Sequence, residues 1–163
     1  MAEKQLDDLF FDTLKDIYFA ERQILKALPK MAKAAVSPDL KAGFEQHQAE
    51  TEVHVERLEK VFELLGKNPR GKTCDAILGI IEEGKEIMDE FKGTQALDAG
   101  LVSAAQAVEH YEMARYGTLA TWAKQLGHTE ALDLFLETLK EEEATDEKLT
   151  KLAKSSVNLK AAA

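Results

Sequence analysis

The 163-residue chain is poor in several things, and each scarcity excludes something. It has one cysteine, Cys74, so no disulfide can close within it, which suits a reducing cytosol. With only three prolines and nine glycines, long uninterrupted elements are expected. No apolar run approaches the ~18 residues that a membrane-spanning helix needs. The start, MAEKQLDDLF, lacks the basic flank and apolar run of a signal peptide. A cytoplasmic location is therefore expected. Positive charge is also short: 21 Lys and Arg face 30 Asp and Glu, for a net charge of −9. Phosphate recognition and anionic lipid surfaces both require a basic face. Neither nucleic acid nor a membrane is an expected partner.

What is present is helix-forming sequence, rich in Ala, Leu, Glu and Lys. The length suits one domain with a full core, 1–163. Apolar spacing by three and four predicts a first long helix over about 5–33, with Leu6, Leu14, Ile17, Leu25 and Leu28 on one stripe. Pro29 is expected to kink or end it. Ser37-Pro38-Asp39 is a helix start, with an N-cap serine, proline in the first position and an acid in the first turn. The second helix then runs to about Leu65. The basic loop KNPRGK, 67–72, leads to a shorter helix capped by Thr73 and reaching about Phe91. Its apolar side has no polar interruption, so it is read as a covering or partner-facing helix. Further long helices are predicted over about 95–126, stopped by Gly127, and from the N-cap Thr129 to about Ser155. The tail NLKAAA is expected to fray.

These elements predict an all-α fold: a four-helix bundle whose one long crossover carries an additional shorter helix. Each of the four long helices interrupts its apolar stripe with polar residues near its middle. The midpoints fall near residues 19, 52, 110 and 142. The interruptions are Glu21, then His47, Glu50 and His54, then Glu109 and Glu112, then Glu142 and Asp146. In an aligned bundle the middles share one height, so these groups should converge. Glu21 to Glu50 spans 29 residues and Glu112 to Glu142 spans 30, a weak internal repeat. An acid on a core-facing stripe is costly unless a cation compensates it. Two divalent cations would do so, and carboxylate with some imidazole suits iron, manganese or zinc.

At these residues the chain resembles the YciF/YciE group of ferritin-like proteins. The segments that carry the resemblance are DIYFAERQ (16–23), HQAETEVHVERL (47–58), VEHYEMARYGTLATWAKQLG (108–127) and ETLKEEEATDEKL (137–149). The resemblance implies a ferritin-like bundle with a di-metal carboxylate centre, iron before manganese or zinc. It also implies a link to stress protection. In the wider superfamily each hairpin supplies Glu followed by Glu-x-x-His. This chain departs from that pattern, since Val53 and Thr145 stand where the histidines belong. His54 or His47 can supply imidazole instead, as a ligand or as a hydrogen-bonded neighbour of one. Asp146 can stand in on the last helix. Glu109-x-x-Glu112 resembles the extra glutamate of rubrerythrin-type sites.

Three functions fit: an enzyme acting on peroxide or dioxygen, a metal binder without turnover, or a structural stress protein dimerised through the shorter helix. Rubrerythrin-type chemistry needs an electron donor. One cysteine cannot build a thiolate-bound iron domain, so any donor is external. A storage cage is disfavoured, because little chain follows the last long helix. Tyr18, Tyr111 and Tyr116 read as core residues with bonded hydroxyls, a redox role being the alternative. Glu52, Glu56, Glu141 and Glu143 read as solvated, and Cys74 as a spare thiol.

Overall fold

The computed structural model describes residues 3–163. Four long helices dominate: α1 (Leu6–Ala34), α2 (Pro38–Leu64), α4 (Leu97–Leu126) and α5 (Thr129–Leu152). A shorter helix, α3 (Asp75–Glu90), lies in the connection between α2 and α4. The expected all-helical bundle with one long crossover is the fold of the described residues.

Side-chain pairs fix the helix directions. Tyr18 donates to Glu59 at 2.9 Å and Phe11 meets Phe62 edge-on, so α1 and α2 are antiparallel. Along α1, Ser37 just past its end meets Asp98, Glu21 meets Tyr116, and Phe10 stacks on His128; α1 and α4 are therefore antiparallel too. Arg57 reaches Glu137 while Glu50 reaches Thr145, which makes α2 and α5 antiparallel. It follows that α2 and α4 run parallel, the arrangement that needs a long crossover.

The termini of the elements are specified locally. Ser37 Oγ accepts from the Leu40 amide at 3.4 Å, Pro38 opens α2, and Asp39 lies in its first turn. The Asp98 carboxylate accepts from the amides of Val36 and Ser37 at 2.8 and 2.7 Å, tying the α1–α2 turn to the start of α4. Gly127 closes α4 at φ 79°, a left-handed conformation that a side chain disfavours.

Several expectations need correction. The first helix does not end early at Pro29 but runs through it to Ala34, because Met31 and Ala32 beyond it are buried and packing holds the last turn. Cys74, not Thr73, caps α3, its Sγ accepting from the Ile77 amide. His128 rather than Thr129 takes the capping position of α5. The tail is helical where fraying was expected: after a wider π-helical turn at Ala153–Val157, with Val157 buried, a short α6 (Asn158–Ala161) continues.

The α3 helix packs on α4 through small residues. A Cβ at Gly84 would lie 3.6 Å from Ala104, and one at Gly100 would lie 2.5 Å from Ile87 Cγ2. Gly117, on the same helix as Gly100, has open space at its Cβ position. Two substitutions on α4 should therefore differ in sign. Gly117→Ala is expected to stabilise the fold by up to ~1 kcal/mol through helix propensity. Gly100→Ala is expected to destabilise it by ~1–3 kcal/mol through overpacking. Urea unfolding of both variants checks this, and a stabilised Gly100→Ala would refute the close α3–α4 packing.

Candidate metal centre

The middles of the four long helices meet as their stripes require. Glu21 comes from α1, His47 and His54 from α2, Glu109 and Glu112 from α4, and Glu142 from α5. All six are at most 4% exposed. They form two groups of donor atoms, His47 with Glu109, Glu112 and Glu142, and Glu21 with His54 and Glu142. Within each group the donor atoms lie within 4.8 Å of one another, and Glu142 belongs to both. His47 Nε2 is 2.9 Å from Glu109 Oε1 and 3.9 Å from Glu142 Oε2. His54 Nδ1 is 2.9 Å from Glu142 Oε1 and 3.7 Å from Glu21 Oε1.

Proximity here is not hydrogen bonding. Nine buried side-chain atoms have no hydrogen-bond partner among the described residues: Glu21 Oε2, both His47 nitrogens, His54 Nδ1, Glu109 Oε2, and both oxygens of Glu112 and of Glu142. The two 2.9 Å contacts are poorly aligned for a shared proton. Each orphaned buried polar group costs ~1–3 kcal/mol, against a total stability of ~5–15 kcal/mol for a domain. Nine atoms left bare at one point therefore call for a ligand that satisfies them together. Four carboxylates and two neutral imidazoles carry four negative charges, and two divalent cations bring that to zero. Carboxylate oxygens with imidazole nitrogen are a donor set that fits such ions.

Protonation registers the same strain. Burial, then the charges of Glu142, Glu21 and Glu109, holds the Glu112 carboxyl well above the usual carboxylate range. Burial and the charge of Glu142 raise Glu21. Glu142 is pushed up to about 7 by burial, against the nearby His54 imidazole that pulls it down. Burial disfavours the His54 imidazolium, but contact with Glu142 and the charge of Glu21 outweigh it and raise it to about 9. His47 rises well above its ordinary value for the same reason, through Glu109 and Glu50.

Groups outside the cluster orient those within it. His54 Nε2 lies 2.8 Å from Glu141 Oε2, and the Arg57 guanidinium holds both oxygens of Glu141, at 2.7 and 2.9 Å. Donation through Nε2 leaves Nδ1 aimed at the centre. Tyr116, fully buried, donates to Glu21 Oε1. Tyr111 donates to Asp16 at 2.5 Å and sits 2.9 Å from Sγ of Cys74, which is a free, buried thiol. Glu141 and Arg57 were not expected from the sequence; only adjacency to Glu142 and the step of three from His54 hinted at them.

Two expected site residues do not join the cluster. Glu50 is 28% exposed at its side chain and bonds Gln46 and Thr145, with Oε2 3.8 Å from His47 Nδ1. Thr51 takes the inward position instead, fully buried, its hydroxyl bonded to the His47 carbonyl. Asp146 faces Gln106 and His110, both at 3.2 Å, while Thr145 faces in.

The chain that builds this centre is similar to known proteins over nearly its whole length. A family model described as "Domain of unknown function (DUF892)" matches residues 5–162. The chain belongs to this family, which includes YciF. Protein YciF of Escherichia coli K12 is 46% identical over 163 residues, 99% of this chain and 98% of that protein. The crystal structure of the E. coli stress protein YciF superposes with a TM-score of 0.91 at 44% identity, covering 96% of this chain and 99% of that one. YcfI of Rhodopseudomonas palustris, provisionally described as a structural protein, superposes with a TM-score of 0.88 at 47% identity, covering 90% and 94%. A Xanthomonas campestris protein at 24% identity and TM-score 0.72 shares the fold.

The metal-free centre should make stability depend on pH. Folded Glu112 and Glu142 keep protons at pH values where the unfolded chain has released them, so rising pH favours unfolding. His54 adds stability that is complete below its ordinary value of 6.5 and is lost as pH rises through about 9. In chelator-treated protein the melting temperature is expected to fall between about pH 5 and about pH 9. Glu112→Gln, a neutral isostere, should raise it at the alkaline end by the equivalent of ~1–3 kcal/mol. A flat profile, or a destabilised Glu112→Gln, contradicts this account.

Proposed function

We propose that this chain is a carboxylate-histidine metal protein whose centre holds two divalent cations, iron in preference to manganese or zinc. It acts on peroxide or dioxygen in stress protection. The carrying observation is the set of nine buried, unpartnered donor atoms from six residues on four helices. The six residues fall into two donor groups that share Glu142, which supports room for two ions. A pair of iron ions held there would supply redox chemistry and Lewis acidity toward the oxidant.

The protein's own residues then have separable tasks. His47, Glu109 and Glu112 would hold one ion, Glu21 and His54 the other, and Glu142 would be available to either. Glu141 fixes the His54 tautomer, and Arg57 keeps Glu141 ionised; hydrogen bonding to that guanidinium holds Glu141 below the usual carboxylate range. Tyr116 restrains Glu21. Since both histidines hold protons strongly in the metal-free chain, ion uptake must displace them, and affinity rises with pH. Electrons for any reductive turnover come from a separate donor. Leu78 on α3 and Phe91 just past its end, 39% and 41% exposed, are the surface for the proposed homodimer.

The second reading is structural: the ions stabilise the bundle and nothing turns over. The provisional description of YcfI favours it, whereas the stress association of YciF accommodates both.

Elemental analysis of protein purified without added metal, then of protein reconstituted with iron, tests the binding reading. Two ions per chain are expected. Glu142→Ala should lower the stoichiometry, and Glu143→Ala, at an exposed position, should leave it unchanged. Equal losses at both positions would refute the assignment. Glu141→Gln should retain the stoichiometry with affinity weakened ~10–100-fold. Peroxide consumption by the iron form, with and without a reductant, decides between the readings. Turnover supports the enzyme, whereas a large metal-dependent rise in melting temperature without turnover supports the structural role.

A further inference from the structure

A cavity of about 520 Å³ opens beside the centre, bordered by all five helices from α1 to α5. That volume falls within the ~300–1,000 Å³ of small-molecule sites. Its walls are apolar, with Ile24, Leu28, Met31, Phe44, Ile81 and Met88 among them. At its buried end stand His47 and Glu109, whose Nδ1 and Oε2 are among the unpartnered atoms. Its exposed border carries Lys26, Lys30 and Lys148, none of which forms a close ion pair among the described residues. Unpaired lysines gathered here are notable in a chain of net charge −9. Of the other acids lining the cavity, Glu82 is held by Lys85 at 2.7 Å, Asp39 lies in the first turn of α2, where the helix dipole favours it, and the partly exposed Glu50 is bonded by Gln46 and Thr145 and feels the Lys148 charge without a close ion pair to it.

Gly43 borders the same cavity. It lies well inside α2, where glycine is a poor helix former. No heavy atom lies within 4 Å of where its Cβ would be, so no close packing demands a glycine. A side chain there would project into open space at the cavity's edge.

We infer that this cavity binds a long-chain amphiphile with an anionic head, of the fatty-acid class. The head sits at Lys26, Lys30 and Lys148, and the chain runs toward His47 and Glu109. The polarity of the two ends sets this direction: buried Glu109 would repel a carboxylate at the inner end, while apolar walls accept methylenes. The inference goes beyond the metal reading and does not depend on it.

Isothermal titration calorimetry of the full chain with dodecanoate, below micelle-forming concentrations, tests it, in both chelated and metal-loaded protein. Binding in chelated protein separates a failure here from a failure of the metal reading. Dodecanoate should bind, dodecan-1-ol more weakly, and acetate not at all. Gly43→Leu should lower dodecanoate affinity at least ~10-fold with no loss of melting temperature. Reversing the three lysines to glutamate should abolish the preference for dodecanoate over dodecan-1-ol. Absent dodecanoate binding, or binding indifferent to Gly43→Leu or to the lysine reversals, overturns the proposal. So does a dimer, seen by sedimentation, that Gly43→Leu disrupts while dodecanoate gives no heat, since a second copy would then occupy the opening.

Discussion

Four carboxylates buried at one level of a helical bundle are the constraint on which the rest of this structure depends. Glu21, Glu109, Glu112 and Glu142 are each at most 1% exposed, and the bulk of their oxygens lack a hydrogen-bond donor. Apolar side chains above and below supply the folding free energy that sustains this. Phe10, Leu14, Tyr116 and Phe135 fill one side of the centre, and Leu40, Phe44 and Leu101 the other. A core of this kind is not optimised for stability of the empty chain. Its weakest layer is the one that gathers charge, a compromise typical of sites where function and stability conflict.

The tension also explains why the supporting contacts are where they are. Arg57 is the one cation close to the centre that the described residues show paired with its orienting acids. It sits behind Glu141, not beside the buried glutamates, so it neutralises the orienting acid and leaves the inner donors free. Tyr116 and Tyr111 bring hydroxyls to Glu21 and Asp16, and burial raises both phenols above their ordinary value. They therefore act as proton donors and not as competing anions. Lysine is absent from the six clustered residues, as a site prepared for cations requires.

Most of this was legible in the sequence because helix geometry converts spacing into direction. Glu21, Glu112 and Glu142 interrupt apolar stripes at steps of three or four, and each is buried. His47 and His54 lie seven apart, two turns on one face. Glu50 and Asp146 misled because each neighbours the residue that truly faces inward. At 3.6 residues per turn adjacent side chains differ by about 100° in direction, so Thr51 and Thr145 point in, and Glu50 and Asp146 turn toward neighbouring helices. An acid is the more conspicuous letter, but its small hydroxyl-bearing neighbour packs better between helices. The Glu141–Arg57 arrangement was illegible for another reason. It joins α2 to α5 across more than 80 residues of chain, and no local spacing encodes that register. The Asp98 clasp on the α1–α2 turn is hidden in the same way.

The two donor groups are not equivalent, and the difference has a direction. The group of Glu21, His54 and Glu142 is enclosed: Tyr116 covers Glu21, and Glu141 with Arg57 backs His54. The group of His47, Glu109, Glu112 and Glu142 has more carboxylate and less support. His47 and Glu109 border the apolar cavity, and His47 Nδ1 is backed only by Glu50 at 3.8 Å. A donor held by few contacts can turn, and a donor beside a cavity can be approached. Donors on the enclosed side are therefore fixed by the fold. Donors on the cavity side are the ones free to turn and open to approach, and Glu142, common to both groups, ties the mobile set to the rigid one.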